Sequence, residues 1–306
     1  ETGEALAIDP LDSDKCLKAA KDEGWDITQI LNTHEHHDHI GGNDAVVAAT
    51  GAKVLAHAKA GGSIPGMFRG LLAGDIIKVG KTVELECLDT PGHTMCHICL
   101  RSHTEQPALF SGDTLFNAGA GNCHNGGDPD LLYDTFAGQF ACLPDSVAVH
   151  PGHDYLARNL AFTLEMEPGN AAAAALLAQV TDAAGDGADA PVTTLGDERR
   201  INVFFRLGSP ELIDRLRQRF PEMPMRPDPR QVFRKLRDEV FPVLASYPQI
   251  NIWQAGCAHD AFGEVQPHQQ ADPAVGVEPV LQQPGQRDHQ RQHLEGQEAR
   301  ARGRQP

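Results

Sequence analysis

Residues Thr33 to Asn43 read THEHHDHIGGN. Six consecutive side chains, His34 to His39, offer imidazole or carboxylate, and two glycines follow. The preceding ITQIL is apolar and strand-like, so the loop leaves the end of a strand. On extended chain, residues two apart project to one side. His34 and His36 can therefore grip one ion at the ~2.0–2.1 Å of a zinc–imidazole bond. Asp38 and His39 come next, as the chain turns toward a helix, and can serve a second ion. Glu35 and His37 fall out of phase and read as spacers.

Such a loop does not complete a site. Three further candidates stand where an apolar strand meets a loop: His93 in DTPGHT, Asp113 in FSGDTLF and His153 in HPGHDY. Each has a neighbouring glycine that lets the backbone approach closely. The count then closes. One ion takes His34, His36 and His93, the other takes Asp38, His39 and His153, and Asp113 bridges them. Ions in such pairs lie ~3.5–4 Å apart and bring the pKa of bound water from 15.7 toward ~7. A shared hydroxide would supply the nucleophile, and hydrolysis of an acyl bond is the expected chemistry, with Asp38 and Asp113 as its carboxylates. Zinc is the first choice of metal, with iron or manganese suiting the same donors. His97 is expected to hydrogen-bond the backbone, and His150 to stand outside the site. His57, His103 and His124 have no partner evident in the sequence.

The totals bound the function classes. A net charge of −16 and a pI near 5.3 argue against a nucleic-acid surface. No apolar run reaches the ~18 residues of a membrane span. The seven cysteines show no paired framework, and Cys96-x-x-Cys99 reads as two packed thiols. Free thiols in number point to the cytoplasm.

Residues 1–165 alternate short strands and helices. EALAIDP, ITQIL and AKVLAH read as strands; DSDKCLKAAKDEG and GGNDAVVAATG read as helices closing at Gly24 and Gly51. DIIKVG, TVELECLD, HICLRS, ALFSGDTLF and SVAVH read as further strands. Two antiparallel-looking sheets with helices outside them fit this pattern. Residues 166–257 read as an all-helical region; Ser209-Pro210 is a good helix start. Residues 258–306, rich in Gln and Pro, read as a disordered tail.

THEHHDHIGGN, TPGHT, SGDTLF and PGHDYLARNLAFTLEMEPGN resemble the metallo-β-lactamase superfamily, specifically its hydroxyacylglutathione hydrolase (glyoxalase II) branch. The resemblance implies an α+β fold, an αββα sandwich followed by a helical C-terminal domain. It also implies a dinuclear metal centre on the same seven ligands and hydrolysis of S-lactoylglutathione to lactate and glutathione. The branch binds its glutathione thioester through an R-x-x-K-D segment. RKLRD gives Arg234 and Arg237 here, with arginine in place of lysine, and Tyr155 matches a tyrosine near the glutathione. After GDTLF the chain departs from the branch: NAGAGNCHNGGDPDLLYDTF lacks its usual aromatic and basic contacts. The branch's first strand or two are expected upstream of Glu1. A persulfide dioxygenase-like mononuclear iron oxygenase, or another hydrolase of the fold such as a lactonase, are the alternatives.

Overall fold

Strand β1 (Glu4–Ile8) pairs in parallel with β2 (Asp26–Leu31), because helix α1 (Ser13–Glu23) carries the chain back between them. Asp12 caps α1 by accepting from the Lys15 amide, and Gly24 closes it in the left-handed conformation. After β2 come the histidine-rich loop, the one-turn helix α2 (His37–Ile40) and helix α3 (Asn43–Thr50). These return the chain to β3 (Lys53–His57), and a 3-10 turn over Ala58–Gly62 leads to β4 (Met67–Leu71). The first sheet has the order β1-β2-β3-β4, and every pair in it is parallel. The expectation of two antiparallel-looking sheets fails for this one. Helices cross over from β1 to β2 and from β2 to β3, and the 3-10 turn leads from β3 to β4, so each strand returns in parallel.

The second sheet has the order β11-β8-β7-β6-β5. It is built from β5 (Ile76–Val79), β6 (Val83–Asp89), β7 (Ile98–Ser102), β8 (Ala108–Gly112) and β11 (Ala148–Pro151). Its pairs are antiparallel except β11, which joins β8 in parallel. Between β8 and β11 lie a small hairpin, β9 (Leu115–Phe116) and β10 (Gly119–Ala120), and helix α4 (Pro129–Gly138).

Strand pleating sorts neighbouring residues to opposite faces. Leu31, Leu55 and Leu71 of the first sheet meet Ile77, Leu85, Ile98 and Leu100 of the second, forming the sandwich interior. Their neighbours Ile30 and Val54 turn outward to Leu17 and Ala20 of α1 and Val46 of α3. On the far side, Cys99 and Leu109 pack under α4 and the C-terminal helices. The layers are thus αββα.

Beyond β11 the chain is helical: α5 (Leu156–Met166), α6 (Ala171–Gly185), α7 (Leu195–Ile201), α8 (Pro210–Arg219) and α9 (Pro229–Ala245). Phe233 of α9 contacts Phe136 of α4 and Phe204, with ring centroids 5.4 and 5.0 Å apart. Such aromatic pairs add to the area they bury. Buried Glu167 holds Arg206 through both carboxylate oxygens at 2.7 and 3.1 Å. The computed structural model describes residues 2–185 and 190–245. The Gln-rich tail expected over 258–306 lies outside the described residues. None of their helices is long and apolar enough to cross a membrane.

Candidate metal centre

The histidine-rich loop begins where β2 ends, and its first residue is tied down from the end of β1. Asp9 accepts from the Thr33 amide at 2.8 Å and from the Thr33 hydroxyl at 2.7 Å. It does so from a left-handed backbone conformation, φ 47°, which is costly for a residue with a side chain. Thr33 Oγ1 gives its proton to Asp9, so at 3.0 Å from His34 Nδ1 it can only accept. His34 Nδ1 therefore carries the ring proton, and Nε2 presents a lone pair.

His36 and His93 are oriented by the same logic. His36 Nε2 donates to the Asn125 carbonyl at 3.3 Å, and His93 Nδ1 donates to the Asn122 carbonyl at 2.6 Å. Their inward nitrogens, His36 Nδ1 and His93 Nε2, are then acceptors. His36 Nδ1 lies 3.0 Å from His34 Nε2 and 3.1 Å from His93 Nε2. Three lone pairs converge with no proton to share. A cation resolves that arrangement.

The second group is Asp38, His39 and His153. His39 Nδ1 donates to Asp9 Oδ2 at 2.9 Å. His39 Nε2 and Asp113 Oδ1 are buried without a hydrogen-bond partner, 3.4 Å from each other. His153 Nε2 lies 3.3 Å from Asp38 Oδ2 and 3.4 Å from Asp113 Oδ2, and the latter is 3.7 Å from His93 Nε2. The Asp113 carboxylate thus faces both groups. Three sets place their ligand atoms within 4.8 Å of one another: His34/His36/His93, His34/His39/Asp113 and Asp38/His39/His153. The orphaned atoms and converging lone pairs fit divalent cations.

Two glycines make the approach possible. Gly112 has φ 48°, and a Cβ there would stand 2.6 Å from His97 Nε2. At Gly152 a Cβ would run into Asp113 Oδ1 and His39 Cε1.

Electrostatics separate the two groups. Burial lowers His34 well below the usual histidine range and His93 to about 4. Burial also works against protonating His39, but the Asp113 and Asp9 carboxylates outweigh it and raise that ring to about 11. His153 rises to about 9 for the same reason, through Asp113 and Asp38. Asp113 is held well below the usual carboxylate range; burial opposes this, and His153 and His39 prevail.

His97 accepts from the Asp113 amide at 3.1 Å, as expected of a backbone-bonding ring. His150 stacks on Phe110 instead of joining the cluster. His57 and His103 do have carboxylate neighbours, Asp89 at 3.5 Å and Glu86 at 2.9 Å. Tyr155 stacks on His153 with centroids 5.2 Å apart, and Arg158 lies over the tyrosine ring. Arg234 is exposed, 3.6 Å from Asp130. Arg237, expected to face substrate, is instead buried, with Nη1 donating to the Ala120 carbonyl at 2.9 Å and the guanidinium over Phe204. Asp9 is not marked by the sequence, since Asp9-Pro10 reads as a strand end.

Two family descriptions match consecutive parts of this chain. The metallo-beta-lactamase superfamily description matches residues 2–153, and the hydroxyacylglutathione hydrolase C-terminus matches residues 154–239. A hydroxyacylglutathione hydrolase of a Polaromonas species is 70% identical over 238 residues, covering 78% of this chain and 90% of its own. One from Nitrosococcus oceani is 59% identical with the same coverage of both chains. Among solved structures, ETHE1 from Myxococcus xanthus is 24% identical, with TM-score 0.50 over 79% of this chain and 88% of its own, a likeness of fold alone. With its sandwich matched by one family description, most of its helical region by the other, and a relative 70% identical over most of both chains, this chain belongs to the hydroxyacylglutathione hydrolase family of the metallo-β-lactamase superfamily.

Proposed function

We propose that this chain hydrolyses the thioester of a 2-hydroxyacylglutathione, S-lactoylglutathione being the type substrate, to a hydroxy acid and glutathione. The observation that carries the reading is the pair of ligand groups sharing Asp113, set beside a helical region of the matching family. Two cations per chain, zinc in the first instance, would be held by His34, His36 and His93 and by Asp38, His39 and His153, with Asp113 between them. When bound, they supply Lewis acidity for the thioester carbonyl and make water a stronger acid.

The chain's own residues do the rest. Asp113, buried and anionic, keeps both groups of histidines attracted to one point. Asp38 is the more open carboxylate of the cluster, and with Oδ2 toward His39 and His153 its other oxygen would be the one to take up a proton leaving water. Tyr155, stacked on His153, borders the space in which the thioester would lie. Arg234 is open to solvent and offers its charge to a glutathione carboxylate. The metal-holding part is assigned to 1–165 and the substrate-side part to 166–257, of which 246–257 lie outside the described residues. The six described cysteines are unpaired, which supports a cytoplasmic setting.

Elemental analysis of the purified protein together with assay on S-lactoylglutathione tests this reading. Near two ions per chain with thioester cleavage supports it. One iron with no cleavage would favour the oxygenase alternative. Arg234→Ala should raise KM several-fold and leave kcat unchanged, because a remote charge contact is made equally in ground and transition states. An unchanged KM removes Arg234 from the substrate site.

A further inference from the structure

Asn117 to Ala120, the two-residue turn after β9 together with β10, is held residue by residue from the helical region. Asn159 of α5 donates from Nδ2 to the Asn117 carbonyl at 2.9 Å. Glu198 of α7 accepts the Ala118 amide on both oxygens, at 3.1 and 2.9 Å. Asn202, at the end of α7, donates to the Gly119 carbonyl at 3.0 Å. Arg237 of α9 donates to the Ala120 carbonyl at 2.9 Å. Four consecutive residues thus meet four side chains from three helical elements.

The grip is strong for physical reasons. Ala118 has φ 56°, a conformation a non-glycine residue keeps only when its surroundings impose it. Glu198 is fully buried, and its other partners, the Thr193 hydroxyl at 2.7 Å and Asn202 Nδ2 at 2.8 Å, are neutral donors. Removing that carboxylate leaves the Ala118 amide and the Thr193 hydroxyl without an acceptor and Asn202 with one of its two.

The segment directly after β10 orients two candidate ligands. Gly121 packs so tightly that a Cβ there would collide with the Asp113 carbonyl and stand 3.0 Å from His93 Nδ1. The next carbonyls, of Asn122 and Asn125, take the ring protons of His93 and His36. We propose that the helical region clamps Asn117–Ala120, making Glu198, Asn159, Asn202 and Arg237 positioning residues for the cation held by His34, His36 and His93. The clamp rests on the proposed metal centre. It gives the helices a task besides substrate contact: they complete the outer support of a site whose ligands all lie elsewhere in the chain.

The test measures zinc affinity by competition with a chromophoric chelator, in the full chain and in Glu198→Ala, Glu198→Gln and Asn159→Ala. The zinc-free melting curve of each reports its folding. Loss of an outer-shell support weakens metal binding by about 10–100-fold. Glu198→Ala should fall in that range for one of the two ions, and Asn159→Ala near its lower end. Glu198→Gln, which keeps an oxygen for Ala118 and Asn202 while the Thr193 hydroxyl turns to accept, should stay close to wild type. Wild-type affinity for both ions in folded Glu198→Ala and Asn159→Ala overturns the clamp and leaves the metal centre standing. If Glu198→Ala does not fold, Asn159→Ala decides alone. Failure of the unaltered chain to bind zinc overturns both the clamp and the metal centre.

Discussion

Asp113→Ala is expected to reduce kcat/KM on S-lactoylglutathione by about a thousandfold or more, roughly 4 kcal/mol of transition-state stabilisation. The reason is its place in the geometry. Asp113 Oδ1 faces His39 Nε2 at 3.4 Å, while Oδ2 faces His153 and His93 at 3.4 and 3.7 Å. It is the only carboxylate among the described candidate ligands that reaches histidines of both groups. Removing it subtracts the buried negative charge that two cations would share and leaves their mutual repulsion less compensated. Asp113→Asn is the control for shape: the amide fills the space and accepts through one oxygen, yet carries no charge. Both variants should lose activity, with the asparagine protein keeping a melting curve closer to wild type. Activity within tenfold of wild type in Asp113→Ala would remove the shared carboxylate from the mechanism.

The candidate ligands were legible because their spacing is local. His34 and His36 lie two apart on extended chain, and His93, Asp113 and His153 each sit where an apolar run meets a glycine. Asp9 was hidden because its role is set by contacts 24 and 30 residues away, and no local pattern marks it. The parallel first sheet was also illegible: strand runs do not state their direction, and β4, with Gly70 inside it, barely reads as a strand. Helix α7 was passed over for its seven residues, although Thr194 and Asp197 form a capping box at its start. Arg237 was misplaced for a reason the sequence did contain. It stands four residues after Phe233 and next to Leu236, both buried, so the helix carries it inward while Arg234 faces out. The loop after Phe116 departs from the family in its aromatic and basic side chains, which bears on the substrate contacts and not on the metal ligands. Backbone carbonyls of Asn122 and Asn125 orient His93 and His36 there, so those changes leave the metal centre's support intact.

Proton release on metal binding separates the two ligand groups. Without cations near neutral pH, burial keeps His34 and His93 neutral, the latter titrating only at about 4. Burial disfavours the charged form of His39 and His153 too, yet their carboxylate neighbours hold them protonated up to about 11 and about 9. A cation entering the first group therefore displaces no proton from these rings, and one entering the second displaces two, from His39 and His153. Protons and cations compete for the same lone pairs, so raising the pH removes the competitor and tightens binding. Affinity for the second ion should rise about a hundredfold per pH unit between 7 and 8.5, then about tenfold per unit once His153 has lost its proton. The first ion's affinity should change far less over that range, since His34 and His93 hold no proton to displace. Zinc titration of the chelated protein in weak buffer with a pH indicator reads the released protons directly. Apart from any proton given up by bound water, one ion should release about two equivalents more than the other. Equal release for both ions, or none for either, would show that Asp113 does not hold the second group charged, and the division into two unlike sites would fall.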